Sequence, residues 1–327
     1  MSKIALFGAA GAIGNSIAAA LRAAGQRYRV VGRDAASLRR DYGDDALAEI
    51  VTWNPDRPAS VQAAASGIET LVYLVGVNYW QFELHPELMR KTLEGAIAAG
   101  VKNVILIGTV YPYGRTDGKP VREDQPRRPH TFKGRMRMEQ EDILMAAHRE
   151  GRINATVLRL PDFYGPGVAA SLLHGAAVAA REGGTANMLG PIDAAHEFVF
   201  VPDVGPVVVK LAAAPGAWGK FWHLAGVGVT TQRAMVTEIE RQTGAPVKLR
   251  VAGKTMLRVL GLFNRIMREM VEMNYLLTEP LRMDDSALQG LIGPVRKTSY
   301  QEGVRQMLAA LQRTSTLAAS VPQPSSR

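Results

Sequence analysis

Short apolar runs alternate with amphipathic stretches along the first half of the chain. KIALF (3–7), YRVVG (28–32), AEIVT (48–52), TLVYLV (70–75), NVILIG (103–108) and ATVLRL (155–160) are rich in Val, Ile and Leu. Runs this short and this apolar suit strands buried on both faces. Between them the spacing predicts helices over 12–24, 58–66, 86–99 and 131–149. Such alternation builds right-handed βαβ units into a parallel sheet. After residue 160 the pattern loosens, with helical stretches at 168–182, 231–243, 254–277 and 299–311 and strand-like pieces at 197–201, 221–225 and 246–251. Residues 1–165 are therefore expected to form one large sheet domain. Residues 166–313 form a smaller lobe, with part of 197–225 returning to the first domain. The stretch 314–327, which ends in SVPQPSSR, lacks periodicity and is read as a disordered tail.

Composition narrows the class. The chain has 327 residues, 47% of them hydrophobic, enough for a substantial core. Its 39 Lys and Arg exceed 30 Asp and Glu, for a net charge of +9, but the two signs are interleaved along most of the chain. That pattern is an ordinary solvated surface with a bias toward anionic ligands. The absence of cysteine removes disulfides and thiolate chemistry, and the six histidines show no metal-ligand spacing. MSKIALFGAAG lacks a signal-peptide pattern, and no apolar run approaches the ~20 residues of a membrane span. A soluble, cytoplasmic protein is expected.

GAAGAIG places Gly8, Gly11 and Gly14 directly after the first strand and at the start of the first helix. Glycine allows a tight turn and close backbone approach, and the helix N-terminus offers free N–H groups to a pyrophosphate. Gly8, Gly11, Ala12, Ile13 and Gly14 are thus candidate dinucleotide ligands. The second strand ends in VVGRD, where an NAD site calls for an acid on the ribose. Arg33 stands there and could bind a 2′-phosphate, which points to NADP over NAD, while Asp34 remains available to a ribose.

GAAGAIG, GAIAAGVKNVILIGTVYPYG (95–114), LRLPDFYGPG (158–167), HEFVFVPDVG (196–205) and SYQEGVRQML (299–308) occur in the order found in extended short-chain dehydrogenases/reductases. The chain resembles the NAD-dependent epimerase/dehydratase family over residues 1–311. The resemblance implies an α/β fold with a Rossmann-type doubly wound parallel sheet, strand order 3-2-1-4-5-6-7, and a smaller C-terminal α+β substrate lobe. It places Asn54, Leu74, Val75, Gly76, Pro161 and Phe163 around the cofactor and Thr109 at the reacting oxygen. It also suggests a homodimer through helices near 86–99 and 131–149.

The family chemistry uses a Tyr-x-x-x-Lys pair on the helix after the fifth strand, the lysine bringing the phenol into a useful range. This helix instead begins in a basic run, RRPHTFKGRMRMEQED (127–142). Registering on Glu139 puts Thr131 at the tyrosine and Arg135 at the lysine, and using Lys133 as the lysine puts Pro129 at the tyrosine. Neither supplies a phenol. Lys133 and Arg135 are candidate ribose ligands, and Arg137 with Glu141 is expected as an i, i+4 surface pair. Tyr111 is the leading replacement proton donor beside Thr109 and Arg135, with packing beneath the cleft as its alternative. Tyr79, Trp80, His130, Tyr164 and His196 are candidate substrate contacts. Asp203 is read as capping the helix after it. KTMLRVLGLFNRIMREMVEMNYLL (254–277) reads as a lid or core helix pair before a membrane-surface segment.

The leading expectation is an NADP(H)-dependent oxidoreductase acting on a small carbonyl or hydroxyl compound. A nucleotide-sugar epimerase or dehydratase and a non-catalytic dinucleotide sensor are the alternatives. Nucleic-acid binding is set aside, because no recognition motif accompanies the basic run and acids follow it within two turns.

Overall fold

The computed structural model describes residues 3–279 and 281–320, those of 314–320 by backbone only. In chain order the elements are β1 (Ile4–Phe7), α1 (Ala12–Ala23), β2 (Tyr28–Gly32), α2 (Ala35–Tyr42), β3 (Ala48–Thr52), α3 (Pro58–Ala65), β4 (Thr70–Tyr73), α4 (Leu84–Ala98), β5 (Asn103–Thr109), α5 (Phe132–Arg149) and β6 (Asn154–Leu160). There follow β7 (Asp162–Tyr164), α6 (His174–Glu182), β8 (Thr185–Leu189), β9 (His196–Phe200), α7 (Val201–Ala213), β10 (Phe221–His223), β11 (Val229–Thr230), α8 (Gln232–Thr243) and β12 (Lys248–Ala252). The chain continues through α9 (Lys254–Leu260), α10 (Arg265–Met273), α11 (Tyr275–Thr278), α12 (Ser286–Ile292) and α13 (Tyr300–Ser320).

Seven strands form one parallel sheet in the order β10-β6-β5-β4-β1-β2-β3, the expected 3-2-1-4-5-6-7 with β10 as the seventh. Successive side chains of β1 go to opposite faces, as a two-residue period requires. Leu6 packs with Ile17, Leu21 and Val204 on one side, while Ala5 and Phe7 pack with Val61, Leu93 and Leu144 on the other. The sheet is thus clad by α1, α2 and α7 on one face and α3, α4 and α5 on the other. A third apolar cluster lies in the lobe, where α6, α8 and α13 close over β7, β8 and β9.

Helix α2 was not expected from the sequence, and α7 was expected only as the helix following Asp203. In α2 only Leu38 and Tyr42 are buried, an i, i+4 pair too sparse to show as periodicity; the helix is started by Asp34, whose carboxylate accepts from Ala36 N. The segment of α7 is rich in β-branched valines and carries Pro202 and Pro206, so it reads poorly as a helix. Burial overrides propensity here: Gly205 lies against α1 so closely that a Cβ would meet Ser16 O at 2.1 Å. Asp203 sits in the first turn of α7 but is not its cap; its carboxylate accepts from Thr298 N and Oγ1, each at 2.7 Å. The predicted 254–277 helix breaks into α9, α10 and α11. The expected tail is helical through Ser320 as the end of α13, and its remainder, 321–327, lies outside the described residues.

Candidate active site

The turn from β1 into α1 is fixed by close packing. A Cβ on Gly8 (φ +88) would lie 2.8 Å from the backbone of Leu74 and Val75, and one on Gly14 would lie 2.1 Å from Ala9 O. Gly11 differs. Its backbone is extended (φ −144, ψ 168), and a Cβ there would meet nothing within 4 Å among the described residues. Gly11 nevertheless borders the cleft, so its missing side chain makes room for a ligand rather than for the protein. It is also the N-cap of α1 without a side-chain cap, and the first turn holds no acid. Its first N–H groups and the positive end of the helix are therefore left to an anion, the requirement of a pyrophosphate.

Beyond the glycine turn, a hollow is lined by Gly32, Arg33, Asp34, Ser37 and Trp53. Asp34 is engaged in starting α2, with Oδ1 2.9 Å from Ala36 N and Oδ2 2.7 Å from Ser37 Oγ. Arg33 makes no ion pair among the described residues and faces this hollow. Asn54 does not reach it. Its side-chain oxygen accepts from Asp56 N at 2.9 Å in a local turn, and the neighbouring Trp53 takes its place, edge-on to Phe7.

On the other side the glycine turn opens into a cavity of about 360 Å³ at the carboxyl ends of β4, β5 and β6. Leu74, Val75, Gly76, Tyr79, Thr109, Tyr111, Pro161 and Phe163 come together there, as expected, with Gly8, Gly11, Ala12, Ile13 and Gly14. Tyr111 lies on the short 3-10 turn Tyr111–Tyr113, its hydroxyl 3.1 Å from that of Tyr79 and its ring stacked on Phe82. Burial, helped by the charge of Asp162, pushes the Tyr111 phenol up to about 12. Thr109 Oγ1 stands beside it, 3.4 Å from Tyr111 N.

Helix α5 corrects the register read from the sequence. Thr131 is its N-cap, accepting from Gly134 N at 3.0 Å, and has no catalytic placement. Arg135 is exposed and donates from Nη1 to His130 O at 3.3 Å, while His130 packs its ring on Tyr275 outside the cavity. Lys133 and Arg137, an i, i+4 pair on α5, are both buried, and of the two it is Arg137 that lines the cavity. Arg137 lines the cavity, donating from Nη2 to Ile107 O (3.1 Å) and from Nη1 to His85 Nδ1 (3.3 Å). Because a guanidinium only donates, His85 must accept at Nδ1. Burial and the Arg137 charge push His85 down to about 2, so it is neutral and carries its proton on Nε2. Lys133 lies behind Tyr79 and Phe82, its Nζ 2.5 Å from Glu269 Oε2 and 2.9 Å from Glu272 Oε2 of α10.

Arg137 and Glu141 are not a surface pair: both are buried and they face different partners. Glu141 holds Arg159 through two bonds (2.9 and 2.6 Å) and Arg127 at 3.1 Å. The sequence reading missed the cavity placement of Arg137 and His85, and it held Asp162 only within the stretch 161–164 expected around the cofactor. The available signal was Arg159, a cation inside an apolar strand that requires a buried acid; setting the helix by Glu141 instead of Glu139 turns Arg137 toward the cavity. Tyr164 proves to be a lobe-core residue against Phe200 and Tyr300. Trp80 lies under the Arg265 guanidinium, 4.9 Å away, rather than in the cavity. His196 stands behind the cavity wall with Nε2 2.8 Å from the Asp162 carboxylate, and it is Asp162 that faces the cleft.

A glycine cradle at a helix N-terminus, an adjoining nucleoside hollow and a hydroxyl-lined cavity at the strand ends define a Rossmann-type dinucleotide-binding protein of the short-chain dehydrogenase/reductase class. The chain belongs to the NAD dependent epimerase/dehydratase family, whose model matches residues 4–221. It is 27% identical over 265 residues to dTDP-6-deoxy-L-talose 4-dehydrogenase (NAD(P)(+)) of Kitasatospora kifunensis, covering 76% of this chain and 81% of that protein. Among solved structures it is similar to dTDP-glucose 4,6-dehydratase from Streptomyces venezuelae with NAD bound, at 17% identity and a TM-score of 0.80, over 96% of this chain and 98% of that one. It is also similar to UDP-glucuronic acid 4-epimerase from Bacillus cereus in complex with NAD, at 15% identity and a TM-score of 0.78, over 95% of this chain and 99% of that one. At these identities the structural likeness is one of fold.

Proposed function

We propose that the protein is an NAD(P)H-dependent oxidoreductase that interconverts a ketone and a secondary alcohol on a nucleotide-linked sugar. The observation that carries this reading is the continuity of the glycine cradle with a cavity ending in the hydroxyls of Thr109 and Tyr111. A nucleotide-linked sugar replaces the small carbonyl compound expected from the sequence because the relatives named above act on, or are named for, such sugars.

Gly8, Gly11, Gly14 and the N-terminus of α1 would hold a pyrophosphate, and a bound nicotinamide would supply the two-electron chemistry. The chain's own residues do the rest. Thr109 would donate to the substrate oxygen and polarise it. Tyr111, held protonated across neutral pH by burial, is a poor base but can donate to a developing alkoxide, which favours the reductive direction. The fixed charge of Arg137 at the cavity wall lowers the cost of negative charge on that oxygen. Lys133, clamped by two carboxylates, ties α10 to α5 and hands on no proton in this scheme.

Arg33 and the engagement of Asp34 in its helix cap support NADPH over NADH. Arg33→Asp is expected to weaken NADPH by about tenfold or more and to leave NADH nearly unchanged; equal losses in a fluorescence titration would remove Arg33 from a 2′-phosphate site.

The test of function is NADPH consumption against nucleotide-linked keto-sugars, with small aldehydes, ketones and quinones as comparators. Turnover confined to the small carbonyls would contradict the sugar reading. Tyr111→Phe is expected to lower kcat by about 100-fold or more without changing the dinucleotide Kd, and an unaltered kcat would exclude Tyr111 as the donor. A non-catalytic sensor is the second reading, favoured by the lack of any tyrosine on α5; it predicts tight NADPH binding and no turnover of any of these compounds.

A further inference from the structure

The hairpin of α9 and α10 was expected to be a lid or core pair, yet it turns an apolar surface outward. Leu262 is 77% exposed and Phe263 89%, at the turn between the helices, and Met256, Val259, Leu260 and Ile266 are exposed beside them. Most of the exposed large apolar side chains among the described residues are in this one hairpin. Contiguous exposed apolar surface on a soluble fold marks an interaction site. Only Leu257 and Met273 of the two helices are buried, so the hairpin is anchored along one side and leaves its tip unsupported.

Its charges identify the partner. Residues 254–268 contain Lys254, Arg258, Arg265 and Arg268 and no acid, and all four cations are exposed. The acids of α10, Glu269 and Glu272, are on its inner side against Lys133. Aliphatic and aromatic side chains at a projecting turn, ringed by cations that can keep their heads in water while their stems lie along apolar surface, are the arrangement of an interfacial anchor. No helix among the described residues is long and apolar enough to cross a membrane. A second copy of the chain would bring the same four cations against these four across a twofold interface, which disfavours self-association. Nucleic acid would answer the cations but offers nothing to Leu262, Val259 or Ile266.

We infer that the α9–α10 tip docks on an anionic lipid surface, seating Leu262 and Phe263 at the headgroup–acyl boundary with Lys254, Arg258 and Arg268 facing the lipid phosphates and Arg265 stacked on Trp80 beside them. The anchor is monotopic, and it places α10, whose opposite side holds Lys133 of α5, at the membrane surface.

The full chain is mixed with phosphatidylcholine vesicles with and without phosphatidylglycerol and sedimented. Binding is expected about tenfold or more tighter to the anionic vesicles and weakened by added salt. Leu262→Asp with Phe263→Asp is expected to abolish it. Both positions are exposed, so the variant should keep the parent Tm and dinucleotide Kd, which establishes its folding without using activity. Arg258→Gln with Arg268→Gln should reduce the preference for anionic vesicles. No binding to either vesicle, or equal binding by the double-Asp variant, would overturn the inference. So would a double-Asp variant whose only change is loss of a dimer in light scattering, since the patch would then be a self-association surface.

Discussion

Gly11→Val is expected to leave the protein folded and to weaken nicotinamide dinucleotide binding by about 100-fold or more, at least ~2.7 kcal/mol. The expectation follows from two glycines of one loop that are glycine for different reasons. At Gly11 the backbone is extended and an added Cβ meets nothing among the described residues, so valine costs only about 1 kcal/mol as a poorer helix cap. Its side chain then projects into the space where a pyrophosphate must approach the first N–H groups of α1. At Gly14 the Cβ would strike Ala9 O at 2.1 Å, a backbone atom that cannot swing aside. Gly14→Val should therefore lower stability before binding is considered. Calorimetry for Kd and thermal unfolding for Tm separate the two, and a Gly11→Val protein that binds NADPH like the parent would show that the ligand does not use this cradle.

Glu141→Ala is expected to destabilise the fold by about 3–5 kcal/mol, the scale for removing one partner of a buried ion pair. Arg159 is fully buried, and Glu141 neutralises it through two bonds while also taking Arg127. Without that carboxylate a guanidinium remains inside the protein with only the Tyr113 hydroxyl and the rings of Tyr113 and Phe221 around it. Replacing both partners, Glu141→Leu with Arg159→Met, should recover most of the loss, because the cost comes from the unpaired charge. Urea unfolding of the single and double variants measures this. A single variant within about 1 kcal/mol of the parent would mean that Arg159 is solvated in ways the burial does not show. Because Glu141 is on α5 and Arg159 on β6, the pair also fixes the helix rotation that turns Arg137 to the cleft.

The large sheet was legible because every central strand is buried on both faces and so reads as a short apolar run. Its ligand was legible because the glycine turn follows the first of these strands directly. Helix α2 was not, having only Leu38 and Tyr42 to show, and α7 was legible only as a helix beginning at Asp203, because its valines and prolines speak against a helix that tertiary packing on α1 imposes. The register of α5 was lost for a chemical reason. The helix opens in a run of cations, Lys133, Arg135 and Arg137, any of which could be matched to the family's lysine. What settles it is long-range: Lys133 meets Glu269 and Glu272, Glu141 meets Arg159, and Arg137 meets His85, none of which is a neighbour in sequence. Tyr111 could be nominated from its distance past the fifth strand, but its partner Tyr79 and its upward-shifted phenol depend on burial that only the folded chain supplies.

Transfer of deuterium from deuterated NADPH to substrate tests the proposed activity most directly. The purified protein is incubated with NADPH carrying deuterium at the nicotinamide C4 and a nucleotide-linked keto-sugar, and the product is analysed by mass spectrometry and NMR. The expected product is an alcohol with one deuterium on the former carbonyl carbon, formed by the parent and, at a rate lower by about 100-fold or more, by Tyr111→Phe. Tight binding of NADPH with no deuterium in any sugar product would contradict the proposed activity.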